Sequence, residues 1–231
     1  MKGYYKNDML KLIAAVAMLI DHVGAVFFQE LVILRIIGRI AFPIFAFYVA
    51  MGFSWTTDYK KYISRMFSAA FITQIPFAYF SLILFENFYY MNVLFTFTFA
   101  LFALSFFKRK KYIATCIFVL LPDIIAAITP MEFDYGSYGV LMVIVFYLFK
   151  EDIIHRNISV LFLTIAHGFI LYIPRGLPFY TSLLSTQLYC ILALPLIDIQ
   201  YKLKINLPKY FFYIFYPAHI AAIVMVSFIP H

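Results

Sequence analysis

Asp21 and His22 are neighbours in an apolar stretch near the N-terminus, and Arg35 and Arg39 lie in the next apolar stretch. A histidine imidazole can accept a proton from an amine or a hydroxyl near neutral pH. An arginine guanidinium binds phosphate through paired hydrogen bonds. Since residues four apart share a helix face, Arg35 and Arg39 can act on one anion. These residue types indicate a site for a phosphate-bearing ligand beside a proton acceptor.

A structural role is the alternative for the same residues. Asp21 can form an ion pair with Arg39 of the neighbouring helix, and this pair is compatible with a ligand site. Consecutive residues point about 100° apart on a helix, so His22 cannot face Asp21. His22 then faces a polar chamber or a different neighbour, where it would be a hydrogen-bonded core histidine. Asp21 supplies one negative charge for two arginines, and a phosphate-bearing ligand could supply the rest.

Four further polar side chains fall near the middle of other apolar stretches, namely Gln74, Asp123, His167 and His219. One polar chamber at mid-membrane depth would explain why these groups share a layer. The two histidines are more often core residues than catalysts. Asp123 follows Pro122, so its carboxylate is expected to bond backbone N–H groups freed by a proline kink.

Membrane-spanning helices are the elements that must position these residues. Of the 231 residues, 65% are hydrophobic and 13% are charged, which leaves too little polar surface for a soluble domain. A helix needs about 20 apolar residues to cross the hydrocarbon. We therefore predict an all-α integral membrane protein in which residues 1–231 form one polytopic domain. The nine predicted spans are Met9–Phe28, Leu31–Phe53, Tyr62–Leu82, Asn92–Phe107, Tyr112–Thr129, Gly136–Phe149, Ile158–Ile173, Thr181–Ile197 and Tyr210–Phe228.

Basic residues favour one orientation. Fifteen of the 18 fall in segments that nine crossings place on the same side as the N-terminus. Cytoplasmic loops are rich in Lys and Arg, so the N-terminus is predicted to be cytoplasmic. The basic run Lys108–Lys111 is then a topogenic loop. The segments on the other side hold Arg175 with Glu30, Glu86, Glu132 and Asp134.

Other familiar chemistry is missing from the sequence. Cys116 and Cys190 lie inside apolar stretches and are predicted to be packed thiols, not metal ligands or a disulfide. The chain has no phosphate-binding P-loop, dinucleotide fingerprint, zinc-protease motif or serine-hydrolase elbow. We expect no metal and no nucleic-acid partner, since the positive charge follows membrane topology. The bilayer is the expected partner, and a homo-oligomer is possible.

Several segments, taken in order, resemble the TraX family. The first are Leu10–Gly24, which contains Asp21-His22, and Arg35–Phe47, which contains Gly38-Arg39 followed by Ala41-Phe42-Pro43. The others are Gln74–Phe77, Asn92–Thr96, Asp134–Gly139 and Tyr213–His219. The series covers nearly the whole chain, although no single piece is specific. Asn157–Arg175 has no counterpart.

The resemblance implies an activity. The family's named member acetylates the N-terminus of a conjugative pilin. The family is similar to membrane acyltransferases that include heparan-α-glucosaminide N-acetyltransferase and the sugar O-acetylases. An acetyltransferase of the bacterial cytoplasmic membrane is therefore implied, with acetyl-CoA as the cytoplasmic donor. The acceptor could be a peptide N-terminus, an amino compound or a glycan.

The resemblance also implies residue roles. Asp21 and His22 would be the catalytic pair, with His22 as general base or acetyl carrier, and Arg35 and Arg39 would lie near the CoA phosphates. His219 is a further catalytic candidate. The candidates for contacting or supporting the substrate are Gln74, Asn92, Asp123, Tyr135 and His167.

Two other function classes fit the same residues. A transporter or proton-coupled channel could use the mid-membrane charges as a relay, although the sequence shows no repeated halves with broken helices. A structural assembly subunit could use the pair of Asp21 and Arg39 only to lock helices.

We predict that the N-terminus is cytoplasmic and that His231 is external, because nine crossings put the two ends on opposite sides. Reporter fusions at both ends measure this directly. Finding both ends on the same face would contradict the count of nine.

Overall fold

A computed structural model describes residues 8–172, 186–199, 201, 203, 205–208 and 210–229. Its helices are α1 (Met9–Phe27), α2 (Val32–Gly38), α3 (Ala41–Trp55), α4 (Tyr59–Phe85), α5 (Val93–Lys108), α6 (Tyr112–Ile128), α7 (Gly136–Leu148), α8 (Ile153–Tyr172), a 3₁₀ helix (Thr186–Leu192), α9 (Ala193–Asp198) and α10 (Phe211–Ser227). Two strands of two residues each, β1 (Tyr90–Met91) and β2 (Glu132–Phe133), pair in parallel. The prediction of an almost wholly helical chain is confirmed.

Four of the apolar helical stretches are long enough to cross a membrane: Met9–Phe27, Val32–Trp55, Tyr59–Phe85 and Ile153–Ile170. Five shorter apolar helices complete the described part of the chain: Val93–Lys108, Tyr112–Ile128, Gly136–Leu148, Thr186–Asp198 and Phe211–Ser227. The chain is thus a multi-pass membrane protein. Most helix ends lie within three residues of the predicted ones.

The predicted span Leu31–Phe53 is not one continuous helix. It breaks at Arg39 and Ile40, between α2 and α3. Pro43 explains the break, because a proline ring clashes with the carbonyl four residues earlier, and that carbonyl belongs to Arg39.

The start of α8 was predicted five residues too late, at Ile158. The segment Ile153–Asn157 that precedes Ile158 is helical because Asp152 caps it. The Asp152 Oδ1 accepts a hydrogen bond of 3.1 Å from the His155 backbone N–H, as N-cap residues do. Hydrogen bonds from the His155 backbone and ring lower the pKa of the Asp152 carboxyl. The predicted span Thr181–Ile197 begins outside the described residues. The loop around Arg175 also lies outside them.

The chain divides into two compact units. The first takes the described residues of Met1–Phe45 and Glu151–Phe215, and the second takes those of Ala46–Lys150 and Tyr216–His231. In the first unit, α1 packs on α2, and the 3₁₀ helix packs on α2, α8 and α9. Asp8, at the start of α1, ties the N-terminal end to a later segment, since its Oδ2 accepts a 2.9 Å bond from the Leu207 N–H.

In the second unit, α5 is the central helix and packs against α4, α6 and α7. Two of its buried hydroxyls bond back to carbonyls of the same helix, Thr98 to Leu94 at 2.7 Å and Ser105 to Phe102 at 2.8 Å, which satisfies them inside the apolar core. A third, that of Thr96, donates to the Asp134 carbonyl outside the helix. Phe47 and Phe146 are fully buried and meet edge to face, with ring centroids 5.5 Å apart. Such pairs add to the stabilisation that their burial provides.

The two cysteines differ in their surroundings. Cys190 is buried, with its sulfur 3.5 Å from the Thr164 hydroxyl. Cys116 is exposed on α6, so the prediction that both pack inside the protein was wrong for Cys116. An apolar stretch of a membrane helix has one face toward lipid, and sequence alone did not show that Cys116 lies on it.

A buried ion pair joins the start of α8 to the end of α9. Arg156 has 2% of its side chain exposed and bonds the Asp198 carboxylate. Asn157 bonds both partners, accepting from the Arg156 Nε at 3.1 Å and donating to the Asp198 Oδ2 at 3.3 Å. Because the span was predicted to start at Ile158, Arg156 was expected to lie in the loop before it.

Replacing Arg156 by Met should destabilise the protein by about 1–3 kcal/mol, because the Asp198 carboxylate, whose side chain is 24% exposed, then loses its charged hydrogen-bond donor. The variant that combines Arg156→Met with Asp198→Leu should recover most of that loss. The free energy of unfolding in detergent micelles measures both. Lys61→Met is the control, since Lys61 lies 3.8 Å from Asp58 in an exposed pair and such pairs contribute little. Equal losses for Arg156→Met and the double variant would contradict the ion-pair role.

Candidate functional site

Asp21 lies in the second half of α1, and its carboxylate reaches α2. The Arg35 Nη1 donates to the Asp21 Oδ2 at 2.9 Å and to the Asp21 backbone carbonyl at 3.1 Å. The carbonyl contact matters because it holds the guanidinium against the helix backbone as well as against the side chain. Arg35 therefore anchors α2 to α1.

Arg39 reaches the same carboxylate from one turn further along. Its Nη2 lies 3.4 Å from the Asp21 Oδ1, and its Nη1 donates to the Gln187 Oε1 at 3.2 Å. Gln187 belongs to the 3₁₀ helix. The predicted pair of Asp21 and Arg39 is present, but Arg35 makes the shorter contact. We call Asp21, Arg35, Arg39 and Gln187 the charged cluster.

Gly38 allows the carboxylate to lie between the two arginines. A Cβ atom at this position would be 2.2 Å from the Asp21 Cβ and 2.2 Å from its Oδ1, so no other residue fits without displacing Asp21. Gly24, three residues after Asp21, allows a second close approach, since a Cβ there would be 2.6 Å from the Leu34 Cβ. The two glycines let α1 and α2 pack closely, as small residues do between membrane helices.

The four residues of the charged cluster carry a net positive charge. They include two guanidinium groups and one carboxylate, so their own charges sum to +1. The Asp21 and Arg39 side chains are each 14% exposed, and Arg35 is 28% exposed. In such partly buried surroundings a charge is screened far less than in water, so the cluster attracts a further anion. Guanidinium groups favour phosphate among such anions.

His22 and His167 belong to the same unit as the charged cluster. Both side chains are partly buried, His22 on α1 and His167 on α8. His22 directly follows Asp21, so the contacts that hold Asp21 also hold the backbone of His22.

Gln74 and Asn92 form a hydrogen-bonded group in the second unit. The Asn92 side chain is fully buried, and it donates to the Ala70 carbonyl at 2.9 Å and to the Gln74 Oε1 at 2.8 Å. Its own oxygen caps α5 by accepting from the Leu94 N–H at 3.1 Å. Gln74 in turn donates to the Tyr90 carbonyl at 2.8 Å. These contacts fasten the start of α5 and strand β1 to the middle of α4.

Asp123 caps a neighbouring helix. Its Oδ1 accepts a 3.0 Å bond from the Ser137 backbone N–H at the start of α7. The prediction that Asp123 would bond donors freed by a kink at Pro122 was wrong, because α6 continues through Pro122 and the donor belongs to another helix. A Cβ on Gly136 would be 2.4 Å from this oxygen, and the Gly136 φ is +43°, so glycine is required there.

The remaining two candidates also belong to the second unit. Tyr135 precedes α7 with a left-handed φ of 65°. His219 is 7% exposed on α10, and its ring lies 5.7 Å from that of Tyr216. Five of the predicted site residues thus belong to the second unit, whereas the charged cluster belongs to the first. The five are Gln74, Asn92, Asp123, Tyr135 and His219.

Sequence reasoning missed Gln187. It lies in a stretch that was treated as plain apolar span, yet its amide contacts Arg39. A lone amide among apolar residues was the available signal, since such a group needs a partner in a membrane. Within the described ranges, no group of three or more His, Cys, Asp or Glu residues could hold a metal ion.

The fold and this cluster define a multi-pass membrane protein with a cationic site between its first helices. Residues 6–227 match the model of the TraX protein family. The chain belongs to the TraX family.

Two curated proteins are similar to this chain. A probable fimbrial assembly protein, FimC of serogroup H1, from Dichelobacter nodosus is 29% identical over 92% of this chain and 91% of the relative. An uncharacterized protein of Rickettsia prowazekii (strain Madrid E) is 41% identical over 38% of this chain and 32% of its own length. This chain thus spans about a third of the Rickettsia protein. No solved structure matches.

Gly38→Ala should expel the Asp21 carboxylate from its place between the arginines, at a cost of about 1–3 kcal/mol in the free energy of unfolding. Gly52→Ala is the matched control. A Cβ at position 52 would be 2.8 Å from the Tyr62 hydroxyl, which is the far end of a side chain and can move aside. Thermal unfolding in detergent should show the larger loss for Gly38→Ala. A smaller loss at position 38 than at position 52 would refute the close approach of Asp21.

Proposed function

We propose that this TraX-family protein is a membrane-embedded acetyltransferase that moves an acetyl group from cytoplasmic acetyl-CoA to an amine or hydroxyl acceptor. The observation that carries the proposal is the Asp21 carboxylate shared by Arg35 and Arg39, directly beside His22 on α1. The arrangement combines an anion-binding group with a titratable imidazole inside an apolar helix pair.

The donor suits the charge of the cluster. Acetyl-CoA carries phosphate groups and supplies the acetyl group as a reactive thioester. The excess positive charge and the guanidinium geometry fit a phosphate. Arg35 contacts Asp21 at 2.9 and 3.1 Å, and Arg39 contacts Asp21 at 3.4 Å and Gln187 at 3.2 Å. In the proposal, Arg39 contacts a phosphate of the donor while Arg35 keeps Asp21 in place.

His22 is the residue proposed to handle the proton. As the acceptor nitrogen or oxygen bonds to the acetyl carbon and the bond from that carbon to sulfur breaks, the His22 imidazole takes the acceptor's proton. It then returns the proton to the departing CoA sulfur, so the imidazole ends unchanged. The alternative, in which His22 carries the acetyl group for a moment, uses the same residue.

A protein N-terminus is the first acceptor to test. The relative from Dichelobacter nodosus is described as a probable fimbrial assembly protein, and a fimbrial subunit offers an N-terminal amine. Amino compounds and glycans are the other acceptor classes.

The proposal includes nine crossings of the bacterial cytoplasmic membrane, with the N-terminus inside. Contacts within each unit support this topology, because each joins segments that nine crossings place on one side. Asp8 contacts Leu207, and Arg156 contacts Asp198; the proposed topology puts all four on the cytoplasmic side. Strand β1 pairs with β2, and the proposed topology puts both strands on the outer side.

His22→Gln should abolish acetyl transfer while expression, helicity and acetyl-CoA binding stay nearly unchanged. Glutamine keeps a hydrogen-bonding side chain but cannot carry a proton near neutral pH. The measurement is release of label from acetyl-CoA to an added amine, to water or to the protein itself. Near-normal turnover by His22→Gln would remove His22 from the mechanism and make His219 or His167 the next residue to test.

Arg39→Gln is the companion variant and should fail at an earlier step. It is expected to lose most acetyl-CoA binding, whereas Lys150→Gln, which removes a charge beside Tyr147, should bind normally. Equal affinity of the Arg39 and Lys150 variants would contradict the phosphate role of Arg39. If the wild-type protein neither transfers nor hydrolyses the acetyl group, the transporter interpretation replaces the enzyme.

A further inference from the structure

Seven cations gather at one end of the second unit. They occupy the start of α4 and the turn from α5 to α6, and every one is exposed. We call them the basic patch: Lys60, Lys61, Arg65, Lys108, Arg109, Lys110 and Lys111. Asp58 is the only acid in these two segments, and it lies 3.8 Å from Lys61. The patch therefore keeps a large positive excess.

A specific contact assembles the patch from its two segments. The Arg109 guanidinium donates to the Tyr59 hydroxyl and also lies over the Tyr59 ring, 5.4 Å from its centroid. This contact brings the turn after α5 to the start of α4. Cations that would repel one another are thus held together, so an anion that bridges them is stabilised.

The backbone at Lys110 suggests that its charge is used. Lys110 has a left-handed φ of 59°, a conformation in which glycine or asparagine is less strained. A turn selected only for its shape would favour those residues. The sequence instead places there the third of four consecutive cations, Lys108 to Lys111.

The surroundings place the patch at the level of lipid headgroups. Trp55 and Tyr112 are 43% and 58% exposed at the same end of the unit, and exposed Trp and Tyr mark the membrane interface. Beyond them along the helices, the exposed side chains become apolar, as with Phe67 at 45% and Ile113 at 81% exposed. A ligand on the patch would therefore have a phosphate in the headgroup layer and apolar chains beside α4 and α6.

We propose that the basic patch binds the headgroup phosphates of anionic phospholipids. The proposal is independent of acetyl transfer, since none of its residues belongs to the charged cluster. Each cation near a negatively charged bilayer surface favours association by about five-fold. Several cations held by one contact should therefore select anionic over zwitterionic lipid.

The chain's single tryptophan is a built-in probe for this lipid. Trp55 ends α3 only three residues before Asp58, so its fluorescence reports lipid beside the patch. The full-length protein is placed in phosphatidylcholine vesicles that contain a small fraction of phosphatidylglycerol. Either lipid carries bromine, a fluorescence quencher, on its acyl chains near the glycerol. The ratio of the two quenching curves gives the preference for the anionic lipid.

In the wild type, the preference for phosphatidylglycerol should be about five-fold or more. In the variant Lys108→Gln, Lys110→Asn, Lys111→Gln, which keeps four of the seven cations, it should fall several-fold and further than in any single variant. Lys110→Gly alone should lose several-fold and should not harm folding, because glycine relieves the left-handed backbone. Lys110→Arg keeps the charge and should keep the preference.

Competition separates lipid from soluble phosphates. Millimolar inorganic phosphate or CoA should leave the preference unchanged, since neither has acyl chains to place beside the helices. Displacement by either would assign the patch to a soluble phosphate and overturn the lipid proposal. Equal quenching by the two lipids in the wild type, or an unchanged preference in the triple variant, would also overturn it.

Discussion

The Asp21 carboxylate is held by two guanidinium groups, those of Arg35 and Arg39. An ionised side chain in a membrane helix costs about 2.5–3.5 kcal/mol on insertion scales, so each of these charges needs the others. Arg35 makes two short contacts to Asp21, and Arg39 contacts both Asp21 and Gln187. The packing of α1 on α2, the place of His22 and the excess charge all depend on this arrangement.

Two backbone features make the arrangement possible. Gly38 brings the α2 backbone against the Asp21 side chain, where a Cβ would be 2.2 Å away. Pro43 ends the regular helix at Arg39, so this arginine sits at the break between α2 and α3. The Gly-Arg-Ile-Ala-Phe-Pro segment of the sequence therefore has a physical purpose beyond family resemblance: it combines a close approach, a charge and a break within six residues.

In the second unit, two of the polar side chains cap helices. Asn92 caps α5, and Asp123 caps α7 from a neighbouring helix. Helix ends expose backbone N–H groups that have no partner within the helix, and these are costly near lipid. In our proposal, the basic end of the same unit faces water and lipid headgroups, where a net positive charge is tolerated and binds anionic lipid.

The sequence by itself determined the membrane class, most helix positions and the family, because hydropathy and local motifs depend on nearby residues alone. It also predicted that Asp21 and Arg39 pair, since two opposite charges in adjacent spans have few other partners. Only the tertiary structure showed that Arg35 makes the shorter contact, that Gln187 joins the cluster, that Asp123 caps α7 and that Arg156 is buried against Asp198. These facts depend on how helices turn about their axes and on contacts between residues far apart in the chain, which a hydropathy pattern does not encode.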